Sequence, residues 1–247
     1  MDRLTGIHAV REALDSGRAL ERIVVARGRH GDRIEELVAS AREHNVPVRF
    51  EERAVVDRLA GTTQHQGVLA MAGAKQALSL EDLIRTGASI TPDARLLVIL
   101  DGVEDPHNLG AVIRSSLAAG AQGLIIPERR AAGMNETVAR AAAGALEHLP
   151  VARVVNISRA MEDLKTAGYW IVGLDEAAKQ KHSDVDFTGA IAVVLGGEGS
   201  GLHDLVKKRC DFLVSIPTTG PIRSLNVSVA AGIVLFEVVR QRAAKKR

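Results

Sequence analysis

The ten residues VVLGGEGSGL, from Val193 to Leu202, join an apolar run to a turn that contains four glycines and one glutamate. A glycine-rich turn after a strand lets the backbone come very close to a ligand or to another chain segment. The stretch therefore predicts a buried strand whose carboxyl end carries a binding loop. The carboxylate of Glu198, in the middle of the loop, limits which ligand fits there.

The loop does not match a phosphate-binding P-loop. That motif needs two glycines five positions apart, followed by a lysine for the phosphates and a hydroxyl for the metal. Gly196 and Gly201 have the spacing, but Leu202 and His203 stand where the lysine and the hydroxyl should be. A carboxylate at position 198 would also repel a phosphate group. An NTPase is therefore a poor explanation of the loop.

A dinucleotide fingerprint fails in the same stretch. The G-x-G-x-x-G pattern begins at Gly197 and Gly199, and Leu202 replaces its third glycine. That glycine is needed for close packing of the helix on the strand. The sequence thus also argues against a nucleotide-dependent dehydrogenase.

Apolar runs on both sides of this loop define the fold class. LLVIL, GLIIP, WIVGL, AIAVVL and FLVSIP alternate with helical stretches between residues 96 and 217. Continuous apolar strands separated by helices indicate a parallel sheet that is buried on both faces. We predict a doubly wound α/β domain over residues 95–247.

A separate alternation of helices and strands fills residues 1–74, from GIHAVREAL to GVLAMAG, and predicts a small α/β domain of its own. Residues 75–94 are more polar and are predicted to be a linker with one short helix. Ser79 and Asp82 in SLED have the spacing of a helix cap.

Composition indicates a folded globular protein, because 46% of the 247 residues are hydrophobic. We predict a cytoplasmic protein without a membrane partner, since no apolar run reaches the roughly 18 residues of a membrane span and the first residues lack a signal-peptide layout. The lone Cys210 is predicted to be a packing residue, with no metal-ligand spacing around it. The net charge of +2 neither requires nor excludes a nucleic-acid partner, and 2% aromatic residues argue against base stacking as the mode of recognition.

The last helix is predicted in SLNVSVAAGIVLFEVVRQR, which carries no charge from Ser224 to Phe236. A helix that is apolar nearly all round must be covered on several sides. We therefore expect a homodimer.

Three polar clusters follow predicted strands, where open parallel sheets bind their ligands. The first, DPHNLGAVIR, places Asp105 and Pro106 as N-cap and first residue of a helix. Asn108 and Arg114 are six residues apart, about 240° around a helix, so they share a site only if Asn108 lies in the first turn or before it. The second cluster is the glycine loop, and the third is SLNVSVAAG. Taken singly, each could be explained by helix capping or by a surface charge.

Together, NLGAVIR, GGEGSGL and SLNVSVAAGI resemble the three signature motifs of the SpoU (TrmH) family of RNA ribose 2′-O-methyltransferases, over residues 96–242. GIHAVREAL and QHQGVLA are similar to the substrate-binding domain of its RlmB-type branch, which methylates a guanosine ribose in large-subunit (23S) rRNA. The loop PIRSLNVS departs from the expected pattern at Pro221 and Arg223, where smaller residues are expected.

The resemblance implies a knotted domain of the SPOUT type. Its deep trefoil knot holds S-adenosylmethionine, and no metal is required. The cofactor-binding positions carried over from the motifs are Leu195, Gly196, Gly197, Ile216 and Leu225. The cofactor's adenine and ribose are neutral and need no lysine, which accounts for the absence of a P-loop. Residues 1–74 would be a ribosomal-protein-like RNA-binding domain.

The same carry-over implies a catalytic set of Asn108, Arg114, Glu198, Ser224 and Asn226. The ribose 2′ oxygen attacks the sulfonium methyl, so the hydroxyl must lose a proton and the reactants must be aligned. Arg114 is either a general base or a clamp for phosphate or alkoxide. A guanidinium pKa above about 12 makes the clamp easier. Glu198 would then orient Arg114 or a ribose hydroxyl, while Ser224 and Asn226 position the substrate.

Two alternatives remain at this point. One is tRNA ribose methylation, although a separate amino-terminal RNA-binding domain favours rRNA. The other is a non-catalytic RNA-binding ribosome-assembly protein, against which the complete catalytic set argues.

Overall fold

The computed structural model describes residues 2–73, 78–129, 131–199, 201–221 and 223–245. They divide into two compact units, the first drawn from Met1–Gln76 and Met134–His148 and the second from Ala77–Gly133 and Leu149–Arg247. Residues 75–77 of the predicted linker lie outside the described residues. The domain boundaries drawn from the sequence stay a prediction.

In chain order the described residues form these strands and helices: β1 Asp2–Thr5, α1 Ile7–Asp15, β2 Leu20–Ala26, α2 Asp32–Glu43, β3 Val48–Glu51, α3 Arg53–Ala60, β4 Val68–Ala72, α4 Leu80–Ala88, β5 Leu96–Asp101, α5 Pro106–Ala118, β6 Gly123–Pro127, α6 Glu136–Ala142, α7 Ala145–His148, β7 Val151–Val154, α8 Ile157–Thr166, β8 Trp170–Leu174, β9 Gln180–Lys181, β10 Ile191–Gly196, α9 Asp204–Arg209, β11 Phe212–Ser215 and α10 Val227–Lys245.

The first unit contains a four-stranded sheet in the order β1-β4-β2-β3. β2 and β3 are parallel, whereas β4 is antiparallel to both β1 and β2. Helices α1 and α2 bury apolar residues such as Val10 and Leu37 against one face of the sheet. The single helix α3 packs Val56 and Ala60 against the other face. One face is therefore covered by two helices and the other by one short helix.

Residues 134–148 join the first unit through buried charge. Arg18 donates to the carboxylate of Glu147 at 2.7 Å, and both side chains are almost fully buried. The same guanidinium pairs with Asp2 and donates to the carbonyl of Gly73 at 2.8 Å. A buried charge is tolerated only with partners of this kind. This long-range network ties the connection between α1 and β2 to β1, to the end of β4 and to α7.

The second unit contains a seven-stranded sheet in the order β7-β6-β5-β10-β8-β11-β9, in which every pair is parallel. The predicted parallel α/β sheet is confirmed. The central strands β5 and β10 are almost entirely buried, as their unbroken apolar sequences require. Helices on both faces complete the core.

Local capping signals also match the prediction. The Ser79 hydroxyl accepts from the backbone N–H of Asp82 at 3.0 Å at the start of α4. Asp105 caps α5 through the N–H of His107 at 2.9 Å, with Pro106 as the first helical residue. Asn108 consequently lies in the first turn of α5, the position it needs to share a site with other loops.

Cys210 packs against the core of the second unit, and its thiol donates to the carbonyl of Val206 at 3.3 Å. Burial raises its pKa to about 12. We expect it to react with iodoacetamide at pH 8 far more slowly in the folded protein than after unfolding, because the thiolate is the nucleophile. Equal rates in the two states would contradict this burial. Mass-spectrometric labelling with and without denaturant measures both rates.

Candidate functional site

A cavity of about 650 Å³ lies at the carboxyl ends of β8, β10 and β11 in the second unit. This volume is typical of a small-molecule site. Parallel strands end at the same edge of a sheet, so the loops that follow them meet there. All five residues predicted to bind a cofactor line the cavity: Leu195, Gly196, Gly197, Ile216 and Leu225.

The glycines of the loop after β10 are explained by close backbone contacts. A Cβ atom at Gly197 would overlap the carbonyl of Gly102, and one at Gly196 would overlap the backbone of Gly201. The N–H of Gly197 also donates to the carbonyl of Asp101 at 2.8 Å. The loop is therefore pressed against the segment after β5, and its backbone forms part of the cavity wall.

Three predicted catalytic side chains, each from a different motif, meet at this edge. The Nδ2 of Asn108 donates to a carboxylate oxygen of Glu198, and the Nδ2 of Asn226 donates to the same oxygen at 3.3 Å. Asn226 also donates to the Oδ1 of Asn108 at 3.0 Å. Glu198 thus receives two amide donors, which gives a structural reason for a carboxylate among glycines.

Asn226 has both the capping role and the site role. Its Oδ1 accepts from the backbone N–H of Ser228 at 2.9 Å and from the Ser228 hydroxyl at 2.6 Å. This side chain therefore caps α10 through its oxygen while its nitrogen holds Glu198. Asn108 is similarly fixed, because its Nδ2 also donates to Asp105 at 3.1 Å.

Arg114 and Ser224 lie outside this hydrogen-bonded cluster. Ser224 lines the cavity and is exposed. Arg114 is exposed on α5, and the described residues provide it with neither a hydrogen bond nor an ion pair. Although its neighbours Val112 and Ile113 are buried, the guanidinium of Arg114 reaches solvent. Because no described residue pairs with this guanidinium, it is available to bind an anion from outside the protein.

Two pairs of residues that support the site were not anticipated from sequence. The carboxylate of Asp101, at the end of β5, accepts from the backbone N–H of His203 at 2.8 Å and lies 3.0 Å from its Nδ1. This contact fixes the segment that follows the glycine loop. An aspartate directly after a buried apolar run was the available signal.

The second pair, Asp175 and Lys207, forms an ion pair of 2.7 Å in the cavity wall. Burial raises the pKa of Asp175, but hydrogen bonds from Lys207 and from the N–H of Ala177 outweigh it and hold the pKa below its usual range. The hydrogen bond to Asp175 raises the pKa of Lys207. Both groups are charged at neutral pH. Glu176, Glu198 and Arg223 also line the wall, so three carboxylates stand against two cations there. This small excess of negative charge favours a ligand that carries positive charge.

The described residues contain no group of three or more His, Cys, Asp or Glu side chains placed to hold a metal ion. Nor does any helix among them combine the length and apolarity needed to cross a membrane.

Comparison with known proteins matches both parts of the chain. Residues 95–236 match the SpoU rRNA Methylase family, and residues 3–78 match the RNA 2′-O ribose methyltransferase substrate binding family. The chain is 42% identical to the 23S rRNA (guanosine-2′-O-)-methyltransferase RlmB of Shewanella oneidensis, over 98% of each chain. It is 40% identical to a TrmH family relative of Bacillus subtilis whose name gives tRNA/rRNA as substrate, over 98% of this chain and 96% of that one.

A solved structure with a bound cofactor has the same fold. The SpoU methyltransferase AviRb of Streptomyces viridochromogenes, in complex with AdoMet, superposes with a TM-score of 0.83 at 27% identity, covering 98% of this chain and 90% of that chain. The TrmH/SpoU tRNA modifying enzyme of A. aeolicus covers only 68% of this chain, with a TM-score of 0.57, 29% identity and 86% of its own length matched.

Proposed function

Because the chain belongs to the SpoU rRNA methylase family, we propose that it transfers a methyl group from S-adenosylmethionine to the ribose 2′-hydroxyl of a guanosine in 23S rRNA. Relatives named for this reaction align with it from end to end. The tRNA modifying enzyme covers only 68% of the chain, whereas the relative named for 23S rRNA covers 98% of it. That difference favours rRNA over tRNA. Since rRNA is the substrate, we place the protein in the cytoplasm.

The observation that carries this proposal is the contact of Asn108, Glu198 and Asn226 beside the cavity. Residues far apart in the sequence are brought to one point, next to a glycine loop whose backbone is open to a ligand. A non-catalytic RNA-binding protein would have no need of this arrangement. The cavity wall has one more carboxylate than cation, which suits a cofactor whose sulfonium and ammonium groups outweigh its single carboxylate.

S-adenosylmethionine, when bound, supplies an electrophilic methyl group on its sulfonium. The cavity residues fit it, because Gly196 and Gly197 bring the backbone into the cavity wall and Leu195, Ile216 and Leu225 offer apolar contact. Glu198 is held by two amides and can orient a ribose hydroxyl. Arg114 can stabilise the developing alkoxide or hold the neighbouring phosphate. Ser224 and Asn226 position the substrate at the rim.

We keep the deep trefoil knot as a prediction for the second unit.

Transfer of labelled methyl from S-adenosylmethionine to protein-free 23S rRNA, followed by mapping of alkali-resistant ribose positions, tests the proposal. Label at a single guanosine ribose supports it. Label on tRNA but not on rRNA would keep the reaction and replace the substrate. Cofactor and RNA binding with no label on rRNA, tRNA or a large-subunit precursor would favour the non-catalytic alternative.

Replacing Glu198 with glutamine is expected to lower kcat/KM for methyl transfer by about tenfold, and replacing it with alanine by about a hundredfold. Glutamine keeps an acceptor oxygen for Asn108 and Asn226 but loses the charge that strengthens both hydrogen bonds. Steady-state kinetics with labelled cofactor measure the effect. Asp163→Asn, an exposed carboxylate on α8, is the matched control and should change nothing. Equal kcat/KM values for Glu198→Gln and Asp163→Asn would show that Glu198 has no role in methyl transfer.

We also propose a homodimer that forms through α10. Val229, Ile233 and Phe236 are 51%, 37% and 50% exposed and lie four and three positions apart, so they form one apolar stripe on the helix. An exposed apolar stripe on an otherwise polar surface marks an interaction site. A second copy of this chain is the occupant that covers such a stripe symmetrically.

Phe236→Glu is expected to convert the dimer to monomers. The substitution removes the apolar contact of the phenyl ring and would bury an unpaired carboxylate in the interface, which carries a desolvation cost. Light scattering after size-exclusion chromatography measures the mass. Val155→Glu is the control, because Val155 is 84% exposed and lies off α10. A dimer that survives Phe236→Glu, or a monomeric parent protein, would contradict the prediction.

A further inference from the structure

The pairing of strands in the first unit shows which arginines share a face of its sheet. Residues paired directly across neighbouring strands lie on the same face. Met71 packs against α3 and pairs with Arg3 of β1. Val24 also packs against α3 and pairs with Arg49 of β3. Both arginines therefore lie on the face that α3 covers.

Helix α3 adds two further cations to this face. Arg53 stands in its first turn and Arg58 in its last turn, and both are exposed. A Cβ atom at Gly61, directly after the helix, would lie 3.5 Å from the Nη1 of Arg3, so that guanidinium lies beside the end of α3. We call Arg3, Arg49, Arg53 and Arg58 the basic face. Each is exposed, and the described part of the chain supplies none of them with a hydrogen-bond or ion-pair partner.

Acidic groups do not neutralise the basic face. Asp57 of α3 is bound to His65, and Glu52 is paired with Arg27. Glu51, which pairs with Ala26 and so shares this face, is the remaining described carboxylate on its strands and helix. Four arginines without a described partner thus stand against two carboxylates, Glu51 and the His65-bound Asp57.

The opposite face, covered by α1 and α2, has the reverse balance. Two of its exposed arginines, Arg33 and Arg42, make no ion pair with a described residue, and Arg11 is paired with Glu36. Against them stand four exposed acidic side chains without a described ion-pair partner: Asp15, Asp32, Glu35 and Glu43. The charge of the unit is therefore segregated between its two faces, although the whole chain carries only +2.

We propose that the basic face is where the first unit grips the phosphate backbone of its RNA substrate. This inference rests on the proposed function and names the surface, which a family match cannot do. The planar guanidinium binds phosphate oxygens in a bidentate manner, so four exposed guanidinium groups fit the successive phosphates of an RNA backbone. The exposed aromatic Phe50 pairs with Val25 and faces α1 and α2 instead.

The absence of an aromatic side chain among the described residues of this face indicates the kind of RNA. Single-stranded RNA is usually held by stacking its bases on aromatic rings, whereas duplex RNA is recognised through its shape and its phosphates. The basic face therefore fits a structured, base-paired segment of rRNA, with the target ribose delivered to the second unit.

Binding of full-length protein to protein-free 23S rRNA at several salt concentrations tests the surface. The test variant is Arg53→Gln with Arg58→Gln, and the control is Arg33→Gln with Arg42→Gln on α2. Each pair has one arginine in the first turn and one near the end of its helix, so both variants lose the same charge in similar helical positions. The test variant should bind about tenfold more weakly, with the slope of log K against log salt reduced by about 2. The control should stay within about twofold of the parent.

Equal weakening in both variants would show that only the overall charge matters and would overturn the inference. Unchanged binding in the test variant would also overturn it. Arg49→Gln, on a strand, repeats the test without touching α3 and should lower the slope by about 1. Methyl transfer by the parent protein is measured separately. If the parent binds rRNA but transfers no methyl, the proposed function fails, while the basic face is still judged by the binding curves.

Discussion

Replacing Arg114 with alanine is expected to lower kcat for methyl transfer by about a hundred- to a thousandfold, while the Kd for S-adenosylmethionine stays within about twofold. Arg114 is exposed on α5, outside the cavity wall, and no described residue neutralises it. Its charge is therefore free for the RNA phosphate or for the developing alkoxide. Single-turnover methyl transfer and calorimetric titration with cofactor measure the two quantities.

Arg114→Lys separates the clamp from a general base. A clamp keeps part of its effect with any cation, so the lysine variant should recover some of the lost rate without a new pH dependence. Arg159→Ala is the control, because Arg159 is also an exposed arginine on a helix of the same unit. Loss of cofactor affinity with the transfer step intact would assign Arg114 to the cofactor site and contradict the role proposed for it.

The buried strands could be predicted because their signal is local. LLVIL and AIAVVL become β5 and β10, and nothing else in the chain is needed to identify them. β1, β7 and β9 were not predicted. β1 and β7 have four residues each, and β9 has two. Such strands depend on a neighbouring strand for their hydrogen bonds, which a window of sequence does not contain.

The site was predictable to a different degree for each residue. The local sequence around Glu198 is enough to argue against a phosphate-binding loop. The contact between Asn108 and Asn226, in contrast, joins residues 118 positions apart. Only the resemblance to a family brought them together before the fold was known. The buried ion pair of Arg18 with Glu147 had no local signal either, since no sequence pattern around one residue predicts the other as its partner.

Arg114 shows how a local pattern can mislead. Its neighbours Val112 and Ile113 are fully buried, yet Arg114 itself is exposed, because side chains one and two positions away point in other directions around a helix. Two of the three acids in the cavity wall, Asp175 and Glu176, lie directly after the apolar run of β8. The rule that ligands bind beyond the carboxyl ends of parallel strands could have identified them.

Replacing Gly197 with alanine is expected to abolish binding of S-adenosylmethionine and to lower Tm by about 5–10 °C. The added Cβ would overlap the carbonyl of Gly102, which is backbone and cannot turn aside as a side chain could. Overpacking of this kind costs about 2–3 kcal/mol, and each kcal/mol shifts Tm by about 2–4 °C in a chain of this size. The loop around Gly197 forms part of the cavity wall, so stability and binding should fall together.

Gly220→Ala is the matched control for this glycine. Gly220 lies in the loop before α10, its φ is not positive, and a Cβ there meets no described atom within 4 Å. Thermal unfolding with and without cofactor gives both readouts, because a ligand that binds the folded state raises Tm. The parent and Gly220→Ala should show that rise, and Gly197→Ala should not. A normal Tm and a normal cofactor response in Gly197→Ala would mean that the two backbone segments are not pressed together, and the glycine would need another explanation.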